Sequence, residues 1–398
     1  MGCASNNATE PTPAIAPGAN RQDAAVVARS FTIDPRIGAL VPGFDAPFFQ
    51  AGLAGYSDAA MRIIARRHGC PFCVTEALLD RTLLAGGRGF AKADLGELHD
   101  NVPGGAEDHP LAGQIMGSDP AEMAAAALKM IEHNARRSPP VAAFEAIDIN
   151  LACPVKKIKS KARGGHWLRE PDGAIAILRA VRDAVPPDIP VTVKMRRGSD
   201  DSPDAERDFL AVFDAAYQVG CAWVTVHGRT VEQKYVGPSR WDFLRDLVRR
   251  RPDRLIFGSG DIWTPEDVFA MLAYTGVHAV AVARGCIGDP WFFRRARDLM
   301  AGRAPVEPTI AEQRATLQEH FRLSVAVNGE RRAGALMRKF GIRFARRHPD
   351  AEAVRRRFIT VKSMRDWRDA LDTFYAPPAR ARCSVDASPR AHGPVRSA

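Results

Sequence analysis

Short apolar runs alternate with amphipathic stretches along this chain, and this alternation limits its fold more than any other feature. Eight apolar runs have the length of buried strands: Pro47–Gly52, Phe72–Thr75, Leu111–Met116, Ala146–Asn150, Val191–Met195, Ala222–Val226, Leu255–Gly258 and Ala279–Ala283. Six stretches between them have helical periodicity: Ser57–His68, Pro120–Asn134, Asp172–Val185, Asp204–Val219, Trp241–Arg250 and Pro265–Leu272. Strands that alternate with helices predict a parallel sheet, and eight of them predict a (β/α)₈ TIM barrel. A doubly wound sheet is the alternative, although no G-x-G-x-x-G follows the first run.

The two ends of the chain differ from this central part. Residues 1–35 and 376–398 lack apolar periodicity, and we expect both to be disordered, with the barrel at 36–305. Residues 309–375 predict a small helical domain with four helices: Thr309–Val327, Glu330–Ala345, Ala351–Ile359 and Ser363–Phe374. This domain contains 15 Lys and Arg against 8 Asp and Glu, which is most of the net charge of +10. The excess favours a polyanionic partner, and a merely solvated helical surface is the alternative.

Polar residues follow seven of the predicted strands. They are Glu76, Gln114, Asn150 with Cys153, Lys194 with Arg196, His227 with Arg229, Asp261, and Arg284. In TIM barrels the chemistry takes place at the carboxyl ends of the strands. A purely structural barrel has little use for polar groups at so many strand ends, and the pattern therefore indicates an enzyme.

Cys153 lies three residues beyond a predicted strand and is followed by a basic segment. Five Lys and Arg residues occur within positions 156–163, and they would favour a thiolate and attract phosphate. A small buried cysteine is the alternative. Lys194, at the end of another strand, needs an anionic or electron-rich partner such as a flavin, or else a salt bridge to Asp148 or Glu76. Glycine-containing turns at 258–261 and 283–285 are typical of a phosphate site in this barrel.

The seven cysteines are scattered and odd in number, so we expect no disulfide framework. Cys70 and Cys73 form a CxxC, but no second CxxC or pair of histidines accompanies it and an apolar strand-like run overlaps it, so we expect neither a metal site nor a redox pair. No apolar run approaches the roughly 20 residues of a membrane helix. The N-terminus matches neither a secretory signal nor the myristoylation pattern, which needs Ser or Thr where Asn6 stands. We therefore expect a cytoplasmic protein.

Taken together, these segments closely resemble the tRNA-dihydrouridine synthases over about residues 45–375. The matching segments are AGLAGYSD (51–58), Thr75-Glu76, QIMGSDP (114–120), DINLACPVKK (148–157), VTVKMRRG (191–198), TVHGRT (225–230), GPSRW (237–241), GSGDI (258–262) and ARGCIGDPW (283–291). The combination and order of these segments are far more specific than any one of them.

The resemblance implies a flavoenzyme that reduces the C5–C6 double bond of a tRNA uridine, with FMN at the barrel mouth and NADPH as reductant. The proton donor of the family falls on Cys153, and a thiol suits this role because its ordinary pKa lies only modestly above neutrality. The implied flavin contacts are Gly52, Leu53, Ala54, Gln114, Lys194, His227, Ser259, Gly260, Asp261, Ala283 and Arg284. The expected tRNA contacts are Asn150, Lys156, Lys157, Lys161, Arg163 and Arg196. We expect a monomer.

Four segments depart from the usual family pattern. The family has Pro-Met at Gly52-Leu53, Gly at Ala152, Asn at Ser259 and Gly at Ala283. Two other functions are alternatives: an FMN barrel enzyme that acts on a small molecule, and a tRNA-binding chaperone without catalysis. The first leaves the basic helical domain and the basic segment unexplained, and the second rests only on these departures.

Overall fold

The computed structural model describes residues 23–85, 105–135, 144–155 and 164–376. Within these ranges the strands are β1 Phe48–Gln50, β2 Cys73–Val74, β3 Leu78–Leu79, β4 Leu111–Met116, β5 Ala146–Leu151, β6 Val191–Arg196, β7 Val224–His227, β8 Ile256–Ser259 and β9 Ala279–Val282. All of their pairings are parallel. A ring closes because β9 pairs with β1, β1 with β2, and β2 with β4, while β3 pairs with the end of β4 outside the ring. The predicted (β/α)₈ TIM barrel is confirmed.

The six predicted helices are found close to their predicted positions, and two more that were not predicted, at 80–85 and 291–300, complete a set of eight around the barrel in the described part of the chain. They are α3 Ala59–Arg67, α4 Asp80–Ala85, α5 Pro120–Ala135, α6 Pro171–Ala184, α7 Pro203–Gln218, α8 Trp241–Arg250, α9 Pro265–Thr275 and α10 Trp291–Met300. Local chemistry sets several of their ends. The carboxylate of Asp58, for example, accepts from the backbone N–H of Met61 and caps α3, and Pro occupies the first helical position of α6, α7 and α9.

Two helices precede the barrel, α1 Ala24–Ser30 and α2 Pro35–Leu40. The expectation that residues 1–35 are disordered is therefore wrong from residue 24 onward, while residues 1–22 lie outside the described residues. Helix α1 buries Ala24 and Ala28 in the main hydrophobic core and packs against α9 and α10. Small alanine side chains permit this close packing, and they leave no periodicity of large apolar residues in the sequence.

The amino-terminal end of the barrel interior is filled by aromatic side chains. Phe44, which follows α2, stacks on Phe72 with ring centroids 4.8 Å apart, and Trp223 stacks on Phe257 at 4.9 Å. Phe49 completes this buried cluster. Near the carboxyl ends of the strands the inward side chains become polar, so aromatic rings close the interior at one end and polar groups line it at the other.

The helical domain consists of α11 Ile310–Asn328, α12 Glu330–Phe344, α13 Ala351–Thr360 and α14 Met364–Phe374. It packs on α3. Its apolar side chains form one core cluster with the side chains that lie between the barrel strands and the surrounding helices. An ion-pair cluster joins the two parts, because Arg295 and Arg347 both donate to the buried Asp289 and to the exposed Glu307. In the part of the chain that the structure describes, no helix is long and apolar enough to cross a membrane.

Candidate active site

A chain of hydrogen bonds runs across the inner ends of β4, β5 and β6. Strand alternation turns Asp148 and Asn150 into the barrel, since Ile147, Ile149 and Leu151 lie in the outer core. Gln114 Nε2 donates to Asp148 at 2.7 Å, and the hydroxyl of Thr192 donates to the other oxygen of Asp148 at 2.6 Å. Burial raises the pKa of Asp148, and these two hydrogen bonds oppose the shift. The Asn150 amide donates to Gln114 Oε1 at 2.7 Å, so the orientation of both amides is determined.

This chain ends at the loop that carries Cys153. The Oδ1 atom of Asn150 accepts from the backbone N–H groups of Ala152 and Cys153, each at 3.0 Å. The Cys153 carbonyl accepts from Gly165 N–H at 3.0 Å. Cys153 is half-buried at the barrel mouth, with its backbone held from both sides. The structure thus places Cys153 and Asn150 together, and Asn150 acts on the position of the Cys153 loop.

Arg196, which we predicted as a tRNA contact, is buried. Only 3% of it is exposed, and its guanidinium donates to the carbonyl oxygens of Ala152, Thr230 and Lys234, each at 2.8 Å. Burial lowers its pKa to about 10, still well above neutrality. Arg196 therefore holds the Cys153 loop through the carbonyl of Ala152. The position of a cation at a strand end does not reveal such a buried structural role.

Lys194 lies beside this loop, half-buried at the mouth. Its ammonium makes no hydrogen bond or ion pair with any described residue. The oxygens of Asp148 accept from Gln114 and Thr192 instead, and Glu76 accepts from the backbone N–H of Gly55 at 2.6 Å. Burial lowers the pKa of Lys194 to about 8, with a smaller effect in the same direction from Arg196. Neither salt bridge considered from the sequence is formed, so the Lys194 ammonium has no ion-pair partner among the described residues.

Six of the predicted flavin residues line one pocket at the ends of β7, β8 and β9. They are His227, Ser259, Gly260, Asp261, Ala283 and Arg284. Gly260 has φ of +114°, and a Cβ there would lie 2.3 Å from the Ser239 hydroxyl, so only glycine fits this turn. Asp261 accepts from Arg229 at 2.7 Å, which orients the turn. One guanidinium nitrogen of Arg229, Nη1, is buried without a partner among the described residues.

Aromatic rings hold the Arg284 side chain at the edge of this pocket. Its guanidinium carbon lies 4.7 Å from the ring centroid of Trp263 and 5.0 Å from that of Tyr235. Its Nη2 atom is 4.0 Å from Asp261. Neither ring was predicted from the sequence. Trp263 follows the end of β8 closely and could have been found by that signal, whereas Tyr235 lies farther along the loop after β7.

His227 lines the pocket at the ends of β7, β8 and β9 and also lies near the cations Arg196 and Lys194. Its Nδ1 atom accepts from the backbone N–H of Arg229 at 3.1 Å, which leaves the proton on Nε2. Burial lowers the pKa of His227 well below its ordinary value, and the neighbouring cations Arg196 and Lys194 act in the same direction. His227 is therefore a neutral imidazole with one N–H donor at neutral pH.

The remaining predicted flavin contacts lie near a second cavity, inside the barrel. Gly52, Gln114 and Lys194 line it. Leu53 and Ala54 follow Gly52 on the loop after β1 and line neither cavity; Leu53 is half-buried and Ala54 is exposed. Four predicted tRNA contacts, Lys156, Lys157, Lys161 and Arg163, lie outside the described residues. Two further residues belong to this hydrogen-bonded set: Asp148, considered from the sequence only as an ion-pair partner of Lys194, and Thr192, which was not predicted. Their inward register on β5 and β6 could have indicated both.

The family model of dihydrouridine synthase (Dus) matches residues 49–376, from β1 to the end of α14. The chain belongs to the dihydrouridine synthase family. Within this family, the "Probable tRNA-dihydrouridine synthase" of Treponema pallidum is 35% identical over 306 residues, 75% of this chain and 84% of that protein. The tRNA-dihydrouridine synthase B of Xanthomonas campestris is 31% identical over 339 residues, 83% and 95% of the two chains. That of Proteus vulgaris is 34% identical over 263 residues, 66% and 77%.

The dihydrouridine synthase match covers both parts of the molecule. It includes the strand ends that carry Gln114, Cys153, Lys194 and His227, and it includes the helical domain. The family resemblance predicted from the sequence is confirmed, and the helical domain belongs to the family unit rather than to an unrelated fusion.

Proposed function

We propose that this protein is a tRNA-dihydrouridine synthase that reduces the C5–C6 double bond of uridine in tRNA, with FMN reduced by NADPH and with Cys153 as the proton donor. The observation that carries the proposal is the rigid placement of Cys153 at the barrel mouth, through Asn150, Gln114 and Asp148, within electrostatic reach of Lys194. Family membership supports the reaction class. The relatives named above support tRNA as the substrate.

The residues at the barrel mouth fit an FMN molecule. Lys194 presents an ammonium group without a partner among the described residues, which suits the electron-rich N1–C2=O edge of a flavin. The turn at Gly260, with the buried Nη1 of Arg229 behind it and Arg284 beside it, suits a phosphate. When bound, FMN would accept a hydride from NADPH and supply it to C6 of the uracil.

The protein's own groups would supply the proton and the geometry. The Cys153 S–H bond would break and its proton would go to C5, from the face of the base opposite to the one that receives the hydride at C6, so one hydride and one proton would be added in total. The thiolate that remains lies close to Lys194, whose positive charge stabilises it. The Nε2–H of the neutral His227 is available as a donor in the same mouth.

The substrate uridine must leave the tRNA stack to enter this mouth. We propose that Lys156, Lys157, Lys161 and Arg163 contact the RNA backbone near the Cys153 loop, and that the basic helical domain provides the wider docking surface. We further propose that the protein acts in the cytoplasm as a monomer. The excess of positive charge at residues 309–375 supports a polyanionic partner.

The purified protein should be yellow, and with NADPH it should form dihydrouridine in tRNA that lacks the modification. Absorbance between 350 and 500 nm would detect the flavin, and mass spectrometry of the tRNA nucleosides would detect the product. A flavoprotein that oxidises NADPH and leaves tRNA unchanged would contradict the proposal in favour of an enzyme for small molecules. A flavin-free protein that binds tRNA would contradict it in favour of a chaperone.

Cys153→Ala should lower dihydrouridine formation by at least about 100-fold, because a positioned acid contributes about 10² to 10⁴ in rate. Reduction of FMN by NADPH should remain nearly unchanged, because it does not need the thiol. Stopped-flow flavin absorbance measures the reduction, and nucleoside analysis measures the product. Cys221→Ala is the control, since Cys221 is buried just before β7, at the other end of the barrel. Normal tRNA modification by Cys153→Ala would show that another group donates the proton.

A further inference from the structure

The loop after β1 is a compact turn that carries two of the proposed flavin contacts, Leu53 and Ala54. The carbonyl of Leu53 accepts from the backbone N–H groups of Tyr56 and Ser57 at 2.9 and 3.0 Å. Leu53 N–H donates to the Ser57 hydroxyl at 2.8 Å, and Gly55 adopts a φ of +76°. The turn is therefore well defined internally, but Ala54 and Gly55 at its tip are exposed. Its orientation over the barrel mouth depends on what holds the tip.

On one side the tip is held by the barrel. Glu76, at the end of β2, accepts from the backbone N–H of Gly55 at 2.6 Å. This charge-assisted hydrogen bond fixes the inner edge of the turn.

On the other side the tip is held by the helical domain. The Lys339 ammonium of α12 lies 4.5 Å from the centre of the Tyr56 ring, and Phe340 meets the same ring edge-on with centroids 5.5 Å apart. A Cβ placed on Gly55 would lie 3.4 Å from the Lys339 Nζ atom, so the ammonium lies directly beside the turn. Lys339 is half-buried and thus partly removed from water, which strengthens its attraction to the ring.

We propose that Lys339 is a positioning residue of the flavin site: through Tyr56 and Gly55, it holds the loop Leu53–Ser57 in the orientation that FMN binding requires. The inference rests on the proposed function, because it assumes that this loop borders FMN. It gives the helical domain a second role beyond RNA docking. A loop held between Glu76 of the barrel and Lys339 of the helical domain makes the flavin site depend on how the two parts are assembled.

Lys339→Met tests this role, because methionine keeps an apolar stem of similar length and removes the charge. We expect FMN to bind about 3- to 10-fold more weakly, as loss of a partly desolvated cation–π contact predicts. In the flavin-free protein, hydrogen exchange of the Tyr56 and Ser57 amides should become faster. Flavin fluorescence titration measures the first effect, and exchange mass spectrometry measures the second. Lys339→Arg should restore both, since a guanidinium also binds an aromatic face.

Two further variants separate positioning from general packing. Lys362→Met removes an exposed lysine between α13 and α14 of the same domain and should leave FMN affinity and loop exchange unchanged. Tyr56→Leu keeps an apolar contact with Phe340 but removes the ring under the ammonium. It should reproduce the effects of Lys339→Met, and the double variant should be no worse than either single variant.

The outcomes distinguish this inference from the proposed function. Unchanged FMN affinity and unchanged loop exchange in Lys339→Met would overturn the inference. It would also be overturned if Lys339→Met has the unfolding temperature of the wild type and Lys339→Arg does not restore FMN affinity and loop exchange. If the wild-type protein bound no FMN, the proposed function would fail. The exchange experiment on the flavin-free protein would still show whether Lys339 holds the loop.

Discussion

At Gly52 the backbone of the site is closely packed. A Cβ at this position would lie 2.3 Å from the carbonyl oxygen of Thr75 and 3.2 Å from the Gln114 Oε1 atom. The carbonyl belongs to the backbone and cannot rotate away, so β1 and β2 would have to separate. The glycine that stands where the family has proline is therefore matched to its own surroundings in this chain.

Gly52→Ala should destabilise the protein by about 1–3 kcal/mol, the usual range for an overpacked site. Urea unfolding followed by circular dichroism measures the free energy of unfolding. Gly334→Ala in α12 is the matched control, because no atom lies within 4 Å of the added Cβ. Alanine favours the helix by up to about 1 kcal/mol, so this control should be equally stable or slightly more stable. Equal stability of the two variants would show that the strands separate at little cost.

At the scale of elements, α11 carries a histidine that is buried at the junction of the two parts. His320 is 2% exposed, and neither ring nitrogen has a hydrogen-bond partner among the described residues. Its ring centre lies 4.4 Å from that of Phe340. Burial lowers its pKa to about 3. The imidazole is therefore neutral in the folded protein at every pH at which the protein would ordinarily be handled.

The sign of the resulting pH dependence follows from proton binding. The unfolded chain protonates this histidine below about pH 6.5, while the folded chain does not until about pH 3. Between these values the unfolded state binds more protons, so the free energy of unfolding falls as the pH falls, by up to about 1.4 kcal/mol per pH unit from this group. His68, with a pKa lowered to about 4 by burial, adds an effect of the same sign.

His320→Phe should therefore make the dependence of stability on pH shallower between pH 6.5 and 5, while the His68 contribution remains. At pH 8 the variant should be at least as stable as the wild type, because phenylalanine leaves no polar atom to be desolvated among the neighbouring aromatic rings. Urea unfolding at half-unit pH intervals gives the slope. A slope identical to that of the wild type would mean that His320 is accessible to protons in the folded state.

At the scale of the whole molecule, the charge of +10 is expected to act through phosphate contacts. Each such contact contributes about 0.7–0.9 to the slope of log Kd against log salt concentration. We expect replacement of Lys156 and Lys157 by glutamine to lower that slope by about 1.4–1.8 for tRNA binding. Fluorescence anisotropy between 50 and 300 mM salt measures it.

The control pair for this experiment is Arg249 and Arg250, exposed at the end of α8. That end lies beside the amino-terminal ends of the strands, away from the barrel mouth, because each helix runs antiparallel to its strand. Glutamine at both positions should leave the salt slope unchanged. An equal decrease for both pairs would show that tRNA senses the net charge of the protein rather than a docking surface at the mouth.

Much of the barrel was predictable because its signals are local. Leu111–Met116 and Trp241–Arg250 begin and end where their apolar patterns do, and the polar residues after the strands mark the mouth. Helix α1 was missed because alanines bury its face without a large apolar side chain. Strand β2 is only two residues long, Cys73–Val74. Its pairing with β4 closes the ring, and no local sequence pattern indicates this pairing.

By itself, the sequence determined the fold class and the family, and it selected Cys153 and Lys194 as candidate site residues, because periodicity and motif order are properties of neighbouring residues. Only the tertiary structure decided what these side chains contact. The hydrogen bonds that orient Asn150 depend on the register of β4 against β5, the burial of Arg196 depends on loops that meet from distant segments, and the contact of Lys339 with Tyr56 depends on how the helical domain packs on the barrel. Such contacts join residues far apart in the chain, and their energies depend on distances of a few ångströms that only the packed structure sets.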